Sequence, residues 1–177
     1  MPAPTPPPWA DVSGARLTIR LSRRADGAVL FELHRADGTK TWQKRTGATA
    51  DFFAVHDLTH YAVETELHFA RAFYGLVAEG WELRDFGTPW PRGPLPAEAL
   101  PAEVIVGCFD TARASHSPLT ATDCNTSIAS YFGNAGMAPP VALTDEMLSR
   151  VRERLSDLVW RWHALPLQET LELSFPG

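Results

Sequence analysis

Residues 15–45 of the chain read ARLTIRLSRRADGAVLFELHRADGTKTWQKR. Apolar and polar side chains alternate over residues 17–21 and 29–33, and a third, weaker alternation surrounds Trp42. A period of two is typical of strands that bury one face. The sequence Arg-Ala-Asp-Gly follows each of the first two strands, and its Asp-Gly pair accepts the positive φ angles of tight hairpins. The segment therefore predicts an antiparallel β-meander.

The pattern becomes helical after the meander. Residues 52–82 contain no proline. They predict two helices joined near residues 67–71, because one helix of that length would far exceed the average of about eleven or twelve residues. Residues 85–101 are rich in proline and glycine and predict a loop. Two further helices are predicted over residues 102–114 and 123–132.

The C-terminal region predicts one long helix and one strand. Thr144 is a favourable N-cap, apolar side chains then recur at steps of three and four residues, and Pro166 ends the helix. Residues 171–175 alternate again and are expected to join the N-terminal sheet. Three strands, several helices and a last strand predict an α+β fold, with an N-terminal antiparallel β-meander, a C-terminal strand and helices packed on one face.

Length and composition indicate a single domain. The chain has 177 residues, of which 45% are hydrophobic and 21% are charged, which is ordinary for a globular protein with a full core. We assign residues 15–177 to one α+β domain. Residues 1–14 contain five of the chain's prolines within the first eight positions and predict a proline-rich flexible tail.

Charge and hydropathy exclude several classes of partner. The formal net charge of -5 and the scattered basic residues argue against a nucleic-acid partner. No run of about eighteen apolar residues occurs, so we expect no membrane partner. The N-terminus has neither the basic start nor the apolar core of a secretory signal. Cys108 and Cys124 show no pairing pattern, so we predict a reducing, cytoplasmic setting. The oligomeric state stays open.

The histidine pair in Val-His-Asp-Leu-Thr-His-Tyr, residues 55–61, indicates the chemistry of this chain. His56 and His60 are four residues apart, so on a helix they lie on the same face, one turn apart. Zinc accepts imidazole nitrogens and carboxylate oxygens at about 2.0–2.2 Å. The pair therefore predicts two ligands of a divalent metal ion, with zinc as the expected cofactor.

A catalytic metal site needs a third protein ligand besides the two histidines. Glu64 continues the histidine face, but its Cα would lie about 12 Å from that of His56 along a straight helix. Glu79 reaches the metal more easily if the chain reverses after Leu67 and a second, antiparallel helix runs back beside His60. We therefore expect Glu79 as the third ligand. Four other side chains that can bind metal stay open as alternatives: Asp110, His68, His116 and His163.

The order His56-Asp57-Leu-Thr-His60, followed after eighteen residues by Glu79, resembles the gluzincin zinc-peptidase pattern, His-Glu-x-x-His with a distant Glu. The resemblance covers residues 56–79. It implies that His56, His60 and Glu79 bind zinc and that Asp57 is the general base that activates the zinc-bound water. Asp57 stands where the family has the longer Glu, and Glu64 is a second candidate for this base.

The dipeptide His56-Asp57 also resembles the metal-dependent phosphohydrolases of the HD superfamily, which bind metal through a His, a His-Asp pair and a later Asp. That resemblance implies that His34, His56, Asp57 and Asp110 are metal ligands. The HD fold is all helical, whereas His34 falls in a predicted strand, so we favour the gluzincin-like interpretation.

These patterns predict a zinc-binding protein that acts as a hydrolase on a small molecule or a peptide. The catalytic candidates are Asp57 and Glu64, and the predicted metal ligands are His56, His60 and Glu79. The alternative is a non-enzymatic interaction or small-ligand-binding protein. In that case the histidine cluster is structural, and its polar groups are satisfied by hydrogen bonds alone.

Overall fold

The computed structural model describes residues 15–176. The proline-rich tail that the sequence predicts for residues 1–14 lies outside the described residues.

One four-stranded antiparallel sheet forms a single layer of the structure. Its strands, in chain order, are β1 (Ala15–Arg23), β2 (Val29–Arg35), β3 (Lys40–Arg45) and β4 (Thr170–Pro176). The spatial order is β3-β2-β1-β4, so the C-terminal strand closes against the first strand. Ile19 on β1 lies opposite Leu33 on β2 and Leu173 on β4, which builds one continuous apolar face across the sheet. The predicted meander and the predicted position of the last strand are both confirmed.

Within residues 15–176, five α-helices form the second layer. They are α1 (Ala50–Glu66), α2 (Phe73–Ala78), α3 (Leu100–Ser115), α4 (Ala121–Asn134) and α5 (Asp145–Ala164), and a 3-10 turn (Leu83–Phe86) follows α2. The predicted break near residues 67–71 is confirmed. The second helix is shorter than predicted and ends before Glu79, whose backbone N–H closes its last turn on the Gly75 carbonyl. The Thr144 hydroxyl accepts a hydrogen bond from the Met147 N–H and caps α5, as predicted.

Helix α1 is the centre of the molecule. It packs against α3, α5 and the apolar face of the sheet, so it is buried on most of its circumference. Four of its buried side chains are polar: Asp57, Thr59, His60 and Glu64. Burying a polar group costs free energy unless it finds a hydrogen-bond partner. The partners of these side chains therefore define the candidate site.

The arrangement confirms the predicted α+β class, with helices packed on one face of an antiparallel sheet. Among residues 15–176, no helix combines the length and the hydropathy that crossing a membrane requires. The cytoplasmic setting stays a prediction.

Candidate metal centre

His56 and His60 lie one turn apart on α1, as their spacing predicts. Their ring centroids are 4.8 Å apart and the rings meet edge to face. The His56 side chain is 31% exposed, whereas that of His60 is 4% exposed and packs against the Phe73 ring at 5.1 Å. One ring of the pair is therefore accessible to solvent, and the other is buried in the protein.

Both imidazoles are held by a carboxylate through the same ring nitrogen. His56 Nδ1 lies 2.6 Å from Asp110 Oδ2 on α3, and the other Asp110 oxygen accepts a hydrogen bond from Arg113 at 2.8 Å. His60 Nδ1 lies 3.3 Å from Glu64 Oε1, one turn further along α1. When Nδ1–H donates to these carboxylates, Nε2 of each ring carries the free lone pair.

A third carboxylate approaches from α3. Glu103 Oε2 lies 3.9 Å from His60 Nε2, and the Glu103 side chain is 35% exposed. The sequence-based reasoning missed Glu103. Its signal was the seven-residue interval to Asp110 within a predicted helix, because residues seven apart share one helix face. Helix α3 thus presents both acids to the histidine face of α1.

His56 and Asp110 behave as an ion pair. Burial acts to lower the pKa of His56, but the hydrogen bond and negative charge of Asp110 outweigh it and raise that pKa above its usual value. Partial burial acts to raise the pKa of Asp110, yet its contacts with His56 and Arg113 leave it lowered. The ring of His56 is therefore oriented by a charged partner.

His60 is kept neutral by its surroundings. Burial lowers its pKa, and the nearby charge of Glu103 only partly opposes that effect. Burial also raises the pKa of Glu64 well above its usual value, against hydrogen bonds from the backbone N–H groups of residues 73–75. One of those bonds, from Tyr74 N to Glu64 Oε2, is 2.9 Å long. Glu64 therefore orients His60 and caps the start of α2 at the same time.

The partner of the Asp57 carboxylate lies on the sheet and not in the histidine pair. Its buried carboxylate forms an ion pair with Arg45 on β3, with one of the two contacts, Nη2 to Oδ1, at 3.3 Å. Burial raises the pKa of Asp57, and the Arg45 charge opposes that rise. The Arg45 guanidinium is itself packed on the rings of Phe31 and Phe53, at 5.1 and 5.0 Å. This pair joins α1 to the sheet.

Glu79, the predicted third ligand, has other partners in the structure. It follows the last residue of α2, and its carboxylate oxygens lie 3.0 and 3.1 Å from Arg71 Nε. Arg16 on β1 approaches the same carboxylate at 3.7 Å. The structure thus brings His56 and His60 together and gives Glu79 two cationic neighbours instead of an imidazole.

Of the remaining side chains that the sequence offered as metal ligands, all within residues 15–176, only Asp110 contacts the histidine pair. Asp110 lies beside His56, as the HD-like alternative requires, but His34 is on β2 and its nearest acid is Glu32 at 3.7 Å. His163 pairs with Asp51 at 3.3 Å. His68 and His116 are exposed residues with positive φ angles, outside the helices.

Within the described part of the chain, no three His, Cys, Asp or Glu side chains are already gathered at the distances of a closed metal site. Comparison of the sequence and the structure with protein families, curated proteins and solved structures finds no match.

Proposed function

We propose that this protein binds one divalent metal ion, zinc by the chemistry of the ligands, between α1 and α3. The ligands in this proposal are Nε2 of His56, Nε2 of His60 and the carboxylate of Glu103. The observation that carries the proposal is the pair of Nδ1–carboxylate contacts to Asp110 and Glu64. Histidines that bind metal almost always give their other ring nitrogen to a carboxylate, a carbonyl or water, which fixes the tautomer and the ring orientation.

The spacing of the rings fits a shared ion. Two imidazoles that bind one ion through Nε2 at about 2.1 Å place their ring centroids roughly 5 Å apart. The observed separation of His56 and His60 is 4.8 Å. Ligand atoms on a tetrahedral ion of this size are about 3.4 Å apart, and Glu103 Oε2 lies 3.9 Å from His60 Nε2. The proposal requires the partly exposed Glu103 side chain to rotate slightly toward His60 when the metal binds.

The charges around the site favour a cation. Glu103 and Asp110 contribute acidic groups, and Arg113 is paired with Asp110. Glu64 adds less negative charge, because burial raises its pKa well above the usual value.

A metal ligand must be a neutral imidazole. Burial already lowers the pKa of His60, whereas His56, whose pKa is raised by Asp110, must give up its Nε2 proton when the metal binds. The ordering of both rings before binding also reduces the entropy that binding must overcome.

We further propose that the site supports hydrolysis of a small molecule or a peptide. His56, His60 and Glu103 would hold the ion, which would supply Lewis-acid chemistry and lower the pKa of a bound water. Three protein ligands leave a fourth position, and the exposure of His56 and Glu103 gives a substrate access to it. The roles of the two predicted bases change in this proposal: Glu64 orients His60, and Asp57 stabilises the fold through Arg45.

Metal titration distinguishes Glu103 from Glu79 as the third ligand. We expect wild-type protein to bind one zinc ion per chain in calorimetry and to retain it in elemental analysis. Glu103→Gln should weaken zinc binding by more than the roughly 10–100-fold typical of a lost outer-shell partner. Glu79→Gln, which removes the acid predicted from the sequence, is the matched control and should bind like wild type.

Two outcomes would contradict this assignment. Wild-type protein that binds no zinc, cobalt, nickel, manganese or iron would exclude a metal centre. Zinc binding lost in Glu79→Gln but kept in Glu103→Gln would support the gluzincin-like ligand set instead. Hydrolysis is tested with the zinc-loaded protein and an activated ester, p-nitrophenyl acetate, whose turnover should stop on chelation and in Glu103→Gln.

A second candidate function, binding of a small organic anion, rests on a cleft between α1, α3 and α5. The cleft has a volume of about 590 Å³. Its walls are mostly apolar, from residues such as Val55 and Leu155. Arg113 and Arg152 line it as well, together with the pair of His163 and Asp51. Apolar walls with a few cationic groups are typical of sites for amphipathic acids. Titration with an aryl carboxylate should then cause saturable chemical-shift changes in the amide NMR spectrum. Leu155→Trp should abolish these changes and leave zinc binding unchanged.

A further inference from the structure

The two cysteines of the chain face each other across neighbouring helices. Cys108 is on α3 and Cys124 is on α4, and the connection between these helices is short. Helices α3 and α4 pack against each other, and Cys108 lies beside Asp123 and Ser127, the residues of α4 that flank Cys124 on either side along the chain. They are free thiols rather than a disulfide. The fold thus gathers both cysteines of a 177-residue chain into one place.

The two thiols differ in access. Cys124 is buried, with 0% of the residue exposed, whereas Cys108 is partly exposed. Cys108 lies in the wall of a cleft of about 520 Å³ between α3 and α4, together with small polar side chains that include Thr111, Ser115 and Ser127. A small polar reagent can therefore reach Cys108 from solvent and cannot reach Cys124 directly.

Their hydrogen bonds give the two sulfurs different character. The Cys124 thiol donates to Cys108 and lowers its pKa, and the Ser127 hydroxyl acts in the same direction, while partial burial and Asp123 oppose them. The pKa of Cys124 is raised by the same contact and by burial. The accessible sulfur is thus the more anionic one, and the thiolate is the nucleophile in cysteine oxidation.

We propose that Cys108 and Cys124 form a peroxide-sensitive redox pair, in which Cys108 is oxidised first and Cys124 resolves it. The oxidant is hydrogen peroxide or a small hydroperoxide. The Cys108 thiolate attacks one peroxide oxygen, so an S–O bond forms and the O–O bond breaks, which leaves a sulfenic acid and releases water after protonation. The Cys124 sulfur then attacks Cys108 Sγ. The S–S bond forms, the S–O bond breaks, and the proton of Cys124 leaves with the departing oxygen as a second water.

This pair is independent of the metal proposal, because it lies on the α4 side of α3 while Glu103 and Asp110 face α1. Its product is a disulfide that joins α3 to α4, which already pack against each other. A thiol donor such as glutathione would reverse the reaction by thiol–disulfide exchange.

Mass spectrometry of the full chain, treated with hydrogen peroxide at neutral pH, tests this proposal. We expect wild-type protein to lose about two mass units and both free thiols, and peptide mapping should identify the linkage between Cys108 and Cys124. Cys124→Ser should instead accumulate a sulfenic acid at Cys108, which dimedone traps. Cys108→Ser should keep its single thiol under the same conditions. Ser127→Ala, with both cysteines retained, should be oxidised several-fold more slowly than wild-type protein.

The proposal has clear contrary results. It is wrong if wild-type protein keeps both thiols, if the main product is a dimer linked through Cys108, or if Cys108→Ser is oxidised as fast as wild type. Peptide mapping on the wild-type protein decides the question even if substitution of the buried Cys124 impairs folding, because it needs no variant.

Discussion

Neighbouring positions on α1 have different partners in the structure. His56, His60 and Glu64 follow one another at intervals of four. His56 contacts His60 and Asp110 of α3, and His60 contacts Glu64. Asp57, directly after His56, points to the sheet and pairs with Arg45. Neighbours in sequence lie about 100° apart around a helix, so the dipeptide His-Asp cannot act as one unit here.

The orienting role of Asp110 gives the first prediction at the residue scale. Asp110→Asn keeps the size of the side chain and removes the charge that holds His56 Nδ1 at 2.6 Å. Loss of such an outer-shell carboxylate costs roughly 10–100-fold in metal affinity. Competition with a chromogenic chelator should show a loss of zinc affinity of this size in Asp110→Asn. The loss should be smaller than the one in Glu103→Gln. An affinity equal to wild type would mean that His56 is not a ligand through Nε2.

The buried pair of Asp57 and Arg45 gives a prediction about stability. Removing one partner of a buried ion pair costs about 3–5 kcal/mol because the other charge stays buried and unpaired. Asp57→Ala should therefore lower the free energy of unfolding in urea by about that amount, while the folded protein keeps its zinc affinity. If Asp57→Ala were as stable as wild type but had lost metal-dependent hydrolysis, Asp57 would be the general base that the gluzincin resemblance implies.

At the scale of elements, the strands and helices could be predicted because each follows from a local pattern. The period of two in residues 15–45 and the apolar steps of α5 are both properties of neighbouring residues. The proposed third ligand depends instead on how the elements pack together. Glu79 was expected to return beside His60, but α2 has only six residues and Arg71 holds the Glu79 carboxylate at its end. Which face of α3 meets α1 is set by long-range packing, so the sequence-based reasoning missed Glu103.

The close approach of α2 to the segment before it gives a prediction about two glycines. A Cβ on Gly75 would lie 2.0 Å from the Ala70 carbonyl oxygen, whereas a Cβ on Gly107 in α3 would meet nothing within 4 Å. Gly75→Ala should therefore destabilise the protein by about 1–3 kcal/mol or more. Gly107→Ala should stabilise it by about 0.5–1 kcal/mol through helix propensity. Thermal unfolding of both variants checks this, and equal melting temperatures would contradict the close contact at Gly75.

At the scale of the whole molecule, the two ends of the described chain depend on each other. Strand β4 pairs along β1, and Phe175 packs on Tyr74 of α2 at 5.7 Å between ring centroids. The Tyr61 hydroxyl of α1 also donates to the Ser174 carbonyl at 2.9 Å. The last strand therefore holds the sheet to the helix that carries the histidines, and the site needs the complete fold.

The dependence on β4 is testable with two residues of that strand. Phe175→Ala removes a buried ring and should lower the free energy of unfolding by about 3–5 kcal/mol. Glu172→Ala, on the exposed face of the same strand, should change it by less than about 1 kcal/mol. Chemical denaturation measures both. Similar small losses in the two variants would mean that β4 contributes little to the core.

Anomalous diffraction at the zinc edge, from crystals of the zinc-loaded wild-type protein, tests the proposed metal centre most directly. We predict one peak between α1 and α3, about 2.0–2.2 Å from Nε2 of His56, Nε2 of His60 and a carboxylate oxygen of Glu103, with Asp110 still bound to His56 Nδ1. A peak coordinated by Glu79, a peak away from the histidine pair, or no peak at full zinc loading would contradict this centre.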